Sequence, residues 1–189
     1  MSNEVSVKQE NSRRSNTVRL AKMGMLAAIS LILVNIHFPI FPPIAFMEYD
    51  PADIPILIGT FAFGPIAGLL ITLVTSIIQG VTVSAAAGVY GIIMHIIATG
   101  TYVIVAGVFY HAMKSKKGAI IALVLGTIAM TIMMVGANYI ITPIFMNVPR
   151  EAITALLPFI IGFNLIKAGA NGIITFFVYK RVSRFLHKN

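Results

Sequence analysis

The sequence predicts an all-α membrane protein of six transmembrane helices, with both termini in the cytoplasm, and three observations carry that expectation. Of 189 residues, 58% are hydrophobic and only 11% charged, with a mean hydropathy of +0.91, whereas a soluble domain carries about 25% charged residues. Long apolar runs alternate with short polar or proline-rich connections, and about 20 apolar residues at ~1.5 Å each cross a bilayer's hydrocarbon. Finally, every one of the 14 Lys and Arg except Arg150 and Lys167 lies in one of three places. Lys8, Arg13, Arg14, Arg19 and Lys22 precede or open the first run; Lys114, Lys116 and Lys117 sit between two runs; Lys180, Arg181, Arg184 and Lys188 follow the last. The acids Glu48, Asp50, Asp53 and Glu151 fall in other connections. This is the positive-inside bias. The formal charge of +8 therefore reports topology, and no nucleic-acid partner is implied.

Residues 1–16 read as a flexible cytoplasmic tail and 17–189 as a single six-helix membrane domain. Helix 1 covers about 17–37; it lacks the short apolar core and small-residue cleavage site of a signal peptide and is read as retained. Residues 38–52 cannot be regular helix, because Pro39, Pro42, Pro43 and Pro51 interrupt them. Helix 2 (53–63) opens on Asp53, an acid suited to a helix N-terminus, and stops at Gly64-Pro65. Helix 3 covers 65–83, and the small residues 84–88 connect it to helix 4 (89–113). SKKG turns the chain into helix 5 (117–142), which is expected to stop before Pro143. An outside loop, 143–152, leads to helix 6 (154–180). Reading 53–83 as one broken helix would give five spans and put the basic groups on opposite sides, so six is the self-consistent count.

Several side chains are out of place in lipid. Lys167 lies mid-way along helix 6, where an ionisable group costs about 2.5–3.5 kcal/mol by insertion scales and marks a function by default. Asn164, Lys167 and Asn171 are spaced i, i+3, i+7, one helix face. The bland reading is that they tie helix 6 to its neighbours; it weighs least for Lys167, since no helix interior offers an acid to neutralise it. Helix 5 carries Thr127, Thr131, Asn138 and Thr142 on one face, and helix 3 carries Thr72, Ser76 and Gln79. Each Thr alone can simply bond its own backbone. Together the stripes point to a cavity between helices, toward the extracellular side, rich in amides and hydroxyls and poor in charge. It suits an uncharged small molecule with many hydrogen-bonding groups. Residues 38–52 bring Phe38, Phe41, Phe46, Tyr49 and Met47 to a loop that should otherwise be polar. These could lie in the bilayer interface or close over a flat heterocycle, with Ala45, Phe46 and Met47 against the ring and Glu48 accepting from a donor on it.

What is missing also narrows the field. There is no GxxxxGK[ST] phosphate loop, no G-x-S-x-G elbow and no HExxH. Cysteine is absent, which removes disulfides, thiolate metal sites and thiol nucleophiles. His37, His95 and His111 are on separate elements with no carboxylate beside them in the chain, so no metal or other cofactor is expected. Ser76 or Ser84 with His95 could imitate an intramembrane serine protease, but no motif supports it.

LAKMGMLAAIS (20–30), DIPILIGTFAFGPIAG (53–68), FPPIAFMEYDPADIP (41–55) and FNLIKAGANG (163–172) resemble the substrate-binding S components of energy-coupling factor (ECF) vitamin transporters, and among them the riboflavin-specific members. The resemblance covers nearly the whole chain after residue 16. It implies a bacterial plasma-membrane protein that binds riboflavin from outside, with Lys167, Asn164 and Glu48 foremost and Asn138, Thr131 and Gln79 second. It implies no catalysis by this chain, but docking on a transmembrane scaffold subunit and two cytoplasmic ATPase subunits that supply the energy. The family's small-xxx-small docking motif in helix 1 corresponds here to Gly24 and Ala28, since small residues let helices approach. Rival readings stay open: the same fold with biotin, whose carboxylate would suit Lys167; with thiamine, disfavoured by the absence of Trp; an intramembrane enzyme; or a structural membrane protein in which Lys167 snorkels to the interface.

Overall fold

The computed structural model describes residues 2–186, with side chains described from Arg13 to Val182 and at Leu186; Lys8, Arg184 and Lys188 lie outside the described side chains. Among the described residues, six α-helices follow in the order the hydropathy implies: α1 (Ser2–Leu33), α2 (Asp53–Phe63), α3 (Pro65–Val81), α4 (Gly88–Met113), α5 (Lys116–Met146) and α6 (Arg150–Leu186). The first helix starts at Ser2, where the sequence suggested a tail to residue 16, and ends at Leu33, four residues early. The 34–52 segment also departs from an all-α expectation. Two-residue strands β1 (Phe38–Pro39) and β2 (Glu48–Tyr49) pair antiparallel around a 3₁₀ turn at Pro42–Ile44.

Helix punctuation follows local chemistry. Gly64 adopts φ 98°, open to glycine but strained for other residues, and Pro65 then starts α3 with its ring preset for a first helical position. Ser115 caps α5 by accepting from the Gly118 N–H at 2.9 Å. Pro143 does not end α5 as expected. The helix runs one turn further to Met146, because a proline removes only one intrahelical bond and the Val148 N–H closes the turn on Pro143 O at 3.1 Å. With α6 starting at Arg150, the expected 143–152 loop shrinks to residues 147–149.

Among the described residues, four helices are long and apolar enough to cross a membrane; α2 and α3 are shorter. At 1.5 Å per residue, α2 is only ~16 Å long, about half a bilayer core. It spans no lipid face of its own: Asp53 through Phe61 are all buried. Thus α2 is a central strut, packed by α1, α3, α4 and α6, and its Ile56, Leu57 and Phe61 join Tyr102 and Val103 in the main core. Outward-facing Ile66, Ile132 and Phe177 are more than two-thirds exposed, the apolar coat of a protein whose solvent is lipid. Close approaches rely on small residues; at Gly126 a Cβ would collide with the Tyr102 ring.

The two ends of the bundle differ. At one, Arg19 donates to Phe63 O at 2.7 Å and Lys22 to Leu186 O at 2.6 Å, cations placed at helix C-termini. At the other, Ile44 of the 3₁₀ turn is locked against Ile153, Ile160 and Phe163, and Phe41 meets Phe159 edge-on. The 34–52 segment is thereby fastened to α6.

Candidate functional site

Beneath that segment, α3, α4, α5 and α6 enclose a cavity of about 510 Å³, within the roughly 300–1,000 Å³ usual for small-molecule sites. The sequence-predicted Lys167, Asn164, Asn138, Gln79, Glu48, Met47, Phe46 and Ala45 all line it. Thr131 is not in that lining; its hydroxyl donates to Thr127 O of its own helix at 2.8 Å. Asn171 shares the Lys167 face but serves structure, donating to Asp50 O at 3.1 Å and Asp53 Oδ2 at 3.2 Å and accepting from the Tyr49 hydroxyl at 3.0 Å. Gly24 and Ala28 lie exposed on the outer face of α1.

The floor is polar and mostly spoken for. Lys167, 8% exposed, does not snorkel: its Nζ donates to Asp50 Oδ2 at 2.6 Å. Asp50 Oδ1 accepts from the Ala52 N–H at 3.0 Å. Burial alone would raise the Asp50 carboxyl, but the adjacent ammonium and these hydrogen bonds outweigh it and hold the group below its ordinary 3.8. The acid that neutralises Lys167 therefore comes from the connection before α2, not from a helix interior. Sequence reasoning noted Asp50 and gave it no role.

Asp53 was also missed as a site group. Fully buried, its Oδ1 accepts from Thr99 at 2.7 Å and lies 3.7 Å from His95 Nε2. His95 Nδ1 is 2.7 Å from Ser76 Oγ. Carboxylates thus do stand beside two histidines, since Glu48 pairs with His37 at 2.6 Å, contrary to what chain position suggested. Among the described residues no three such groups gather in a metal-binding cluster. Nor do Ser76, His95 and Asp53 form a hydrolytic triad. The carboxylate is beyond hydrogen-bond distance of the ring, Thr99 occupies it instead, and Ser76 donates to Thr72 O at 2.7 Å.

The walls above this floor are apolar and broad. Met130, Met134, Phe163, Tyr90 and Phe145 contribute, and Phe46, 40% exposed, closes from the 34–52 segment. Asn164 donates to Ile160 O at 2.8 Å, which uses one of its two N–H groups. Flat apolar walls around a few fixed amides and one neutralised ion pair can hold an uncharged heterocycle and offer it several directed hydrogen bonds.

The family model for the ECF transporter, substrate-specific component, matches residues 18–179. The chain is 30% identical to "Riboflavin transporter RibU" of Staphylococcus aureus over 179 residues, 90% of this chain and 93% of that one. It is 31% identical to "Riboflavin transporter FmnP" of Bacillus subtilis over 159 residues, 79% of this chain and 83% of that one. Among solved structures, the S component of a bacterial ECF transporter superposes with a TM-score of 0.80 at 30% identity, covering 92% of this chain and 99% of the other. ThiT from Listeria monocytogenes shares the fold, with a TM-score of 0.64 at 16% identity over 91% and 98% of the two chains.

Proposed function

This chain belongs to the family of ECF transporter substrate-specific components, multi-pass bacterial membrane proteins, and from that premise we propose that it captures riboflavin from outside the cell for ATP-driven uptake. The relatives named as riboflavin transporters support the ligand. The observation that carries it within this chain is the Lys167–Asp50 pair at the floor of a cavity whose other lining is mostly amides, hydroxyls and apolar groups, with the His37–Glu48 pair and His95. Because Asp50 already neutralises Lys167, a ligand carboxylate would bring a second anion to one ammonium, with buried Asp53 close by. That disfavours biotin. Riboflavin presents carbonyl and ring-nitrogen acceptors, one imide donor and hydroxyls, all uncharged. Lys167 can still donate from its remaining N–H groups, and Asn164 and Asn138 can both donate and accept. Glu48 accepts at the cavity mouth, and Ala45, Phe46 and Met47 cover the ring.

The cavity end faces outward in this reading, and six helices cross or enter the membrane with both termini and Lys116 in the cytoplasm. The positive-inside bias supports this orientation, as does the gathering of Arg19, Lys22 and the ends of α2 and α6 at one pole. The scaffold subunit docks on the α1 face that exposes Gly24 and Ala28, and two ATPase subunits hydrolyse ATP; this chain does no chemistry. A riboflavin-auxotrophic bacterium lacking its own transporter tests the proposal. Co-expression of this chain with a scaffold and ATPases should restore growth on nanomolar riboflavin, and in a biotin auxotroph lacking its own transporter it should not restore growth on nanomolar biotin. No rescue by an assembled complex would count against it.

A further inference from the structure

Two buried carboxylates share one lysine beneath the cavity. Asp50 is paired with Lys167 at 2.6 Å. Asp53, fully buried, is held by two neutral donors, the Thr99 hydroxyl at 2.7 Å and the Asn171 amide at 3.2 Å, and the start of α2 adds only a partial positive charge. Among the described residues, the one basic group within ion-pair distance of its carboxylate is the imidazole of His95, 3.7 Å away. Resting on the riboflavin reading above, we infer that His95 and Asp53 form a proton-binding site that fills as the vitamin is captured, so that ligand binding takes up a proton.

The hydrogen bonds around the ring say where that proton goes. Ser76 Oγ lies 2.7 Å from Thr72 O, a pure acceptor, so the one hydroxyl hydrogen is committed there. The 2.7 Å contact of Ser76 Oγ with His95 Nδ1 then needs its hydrogen on the ring nitrogen. The Thr99 hydroxyl is likewise committed to Asp53 Oδ1. His95 Nε2 therefore faces two acceptors, Thr99 Oγ1 at 3.4 Å and Asp53 Oδ1 at 3.7 Å. A neutral ring turns a bare lone pair toward both, whereas a proton at Nε2 makes both contacts attractive and gives Asp53 its counter-charge. The other charged groups acting on the ring are Lys167 of α6 and Asp50 of the 34–52 segment, already paired with each other. The remaining lining side chains of α3, α4 and α5 carry no charge, and the His37–Glu48 pair stands at the cavity mouth.

His95 lines the cavity with its side chain 10% exposed, so a proton can reach it from solvent. An uncharged flavin over this floor displaces solvent and lowers the local dielectric. An uncompensated carboxylate then costs more, and an opposed pair attracts more strongly. Affinity should therefore rise as pH falls through the His95 titration, by at most about tenfold per pH unit for one linked proton.

Riboflavin titrations of the purified chain from pH 8.5 to 5.5 read this linkage. The parent's Kd should fall with pH. His95→Gln and Asp53→Asn should each flatten that slope, while His37→Gln, at the mouth, should retain it. If the Asp53 variant fails to fold, His95→Gln carries the comparison. A second measurement needs no ligand: 15N NMR of the histidine-labelled chain, with the His95 signals assigned by their loss in His95→Gln. Nδ1 should be protonated throughout, and Nε2 should gain its proton as pH falls, at lower pH in Asp53→Asn than in the parent. Added riboflavin should move the parent's midpoint to higher pH. A parent Kd independent of pH, a slope that survives His95→Gln, or a bare Nδ1 would overturn the proton site. A parent that binds no riboflavin at any pH would instead overturn the riboflavin reading, and the ligand-free titration would still decide whether Asp53 and His95 hold a proton between them.

Discussion

Replacing Lys167 by Met removes two things that must be measured apart. The ammonium is bonded to Asp50 at 2.6 Å, and Asp50 is 4% exposed. Deleting one member of such a buried pair strands the other charge, at a cost of about 3–5 kcal/mol of stability. A direct bond from the ammonium to riboflavin is worth roughly 1.5–3 kcal/mol, or about ten- to a hundredfold in Kd. The single variant mixes both effects. The double variant Lys167→Met/Asp50→Asn removes both charges and keeps similar volume, so most of the stability should return while the affinity loss remains. Thermal unfolding in detergent reads the first quantity, and quenching of riboflavin fluorescence reads the second. If the double variant is stable and binds riboflavin like the parent, the pair is only a structural tie between α6 and the segment before α2. If it neither recovers stability nor binds, the charge-stranding argument is wrong.

Other expectations follow from particular contacts. Gly24→Leu and Ala28→Leu, on the exposed face of α1, should abolish uptake while leaving riboflavin binding by the isolated chain intact; unchanged uptake would remove them from the docking face. Single cysteines at 116 and 150 in this Cys-free chain should react with an impermeant reagent on intact cells only at 150, and labelling at 116 would invert the topology. Because Lys167 holds the Asp50 carboxyl below its ordinary 3.8, its stabilising contribution is present above the unfolded value and is lost progressively as pH falls through and below it; unfolding followed from pH 8 to 3 should show this part of the stability flat to about pH 5 and falling beneath it, and Asp50→Asn should remove the acid step. Gly126→Ala would drive a methyl into the ring of fully buried Tyr102 and should cost about 1–3 kcal/mol, visible as a lowered Tm.

The parts legible in the sequence are those with a local signature. Six helices follow from apolar runs and punctuation at Gly64-Pro65 and Ser115. The i, i+3, i+7 spacing put Asn164, Lys167 and Asn171 on one face, and all three are buried together. The counter-charge was illegible because Asp50 lies 117 residues from Lys167 and a chain pattern carries no record of such a pairing. Thr131 shows the limit of periodicity. The lining stripe of α5 runs Met130, Met134, Asn138, Ile141 and Phe145, and Thr131 sits one position to its side, where it bonds Thr127 O. The sequence set His95 beside Ser76, and the two stand 2.7 Å apart; its nearness to Asp53, 3.7 Å away on another helix, had no signature in the chain. Pro143 misled because a proline's effect depends on where the helix would have ended anyway.

The central claim is that this chain alone holds one riboflavin in the cavity between the 34–52 segment and α3–α6. Titrating the purified chain in detergent with riboflavin, and in parallel with biotin, tests it most directly. The account requires saturable quenching of flavin fluorescence at one riboflavin per chain, undisturbed by excess biotin. A folded chain that leaves riboflavin fluorescence unchanged at micromolar concentrations, or that releases the flavin to biotin, would contradict it.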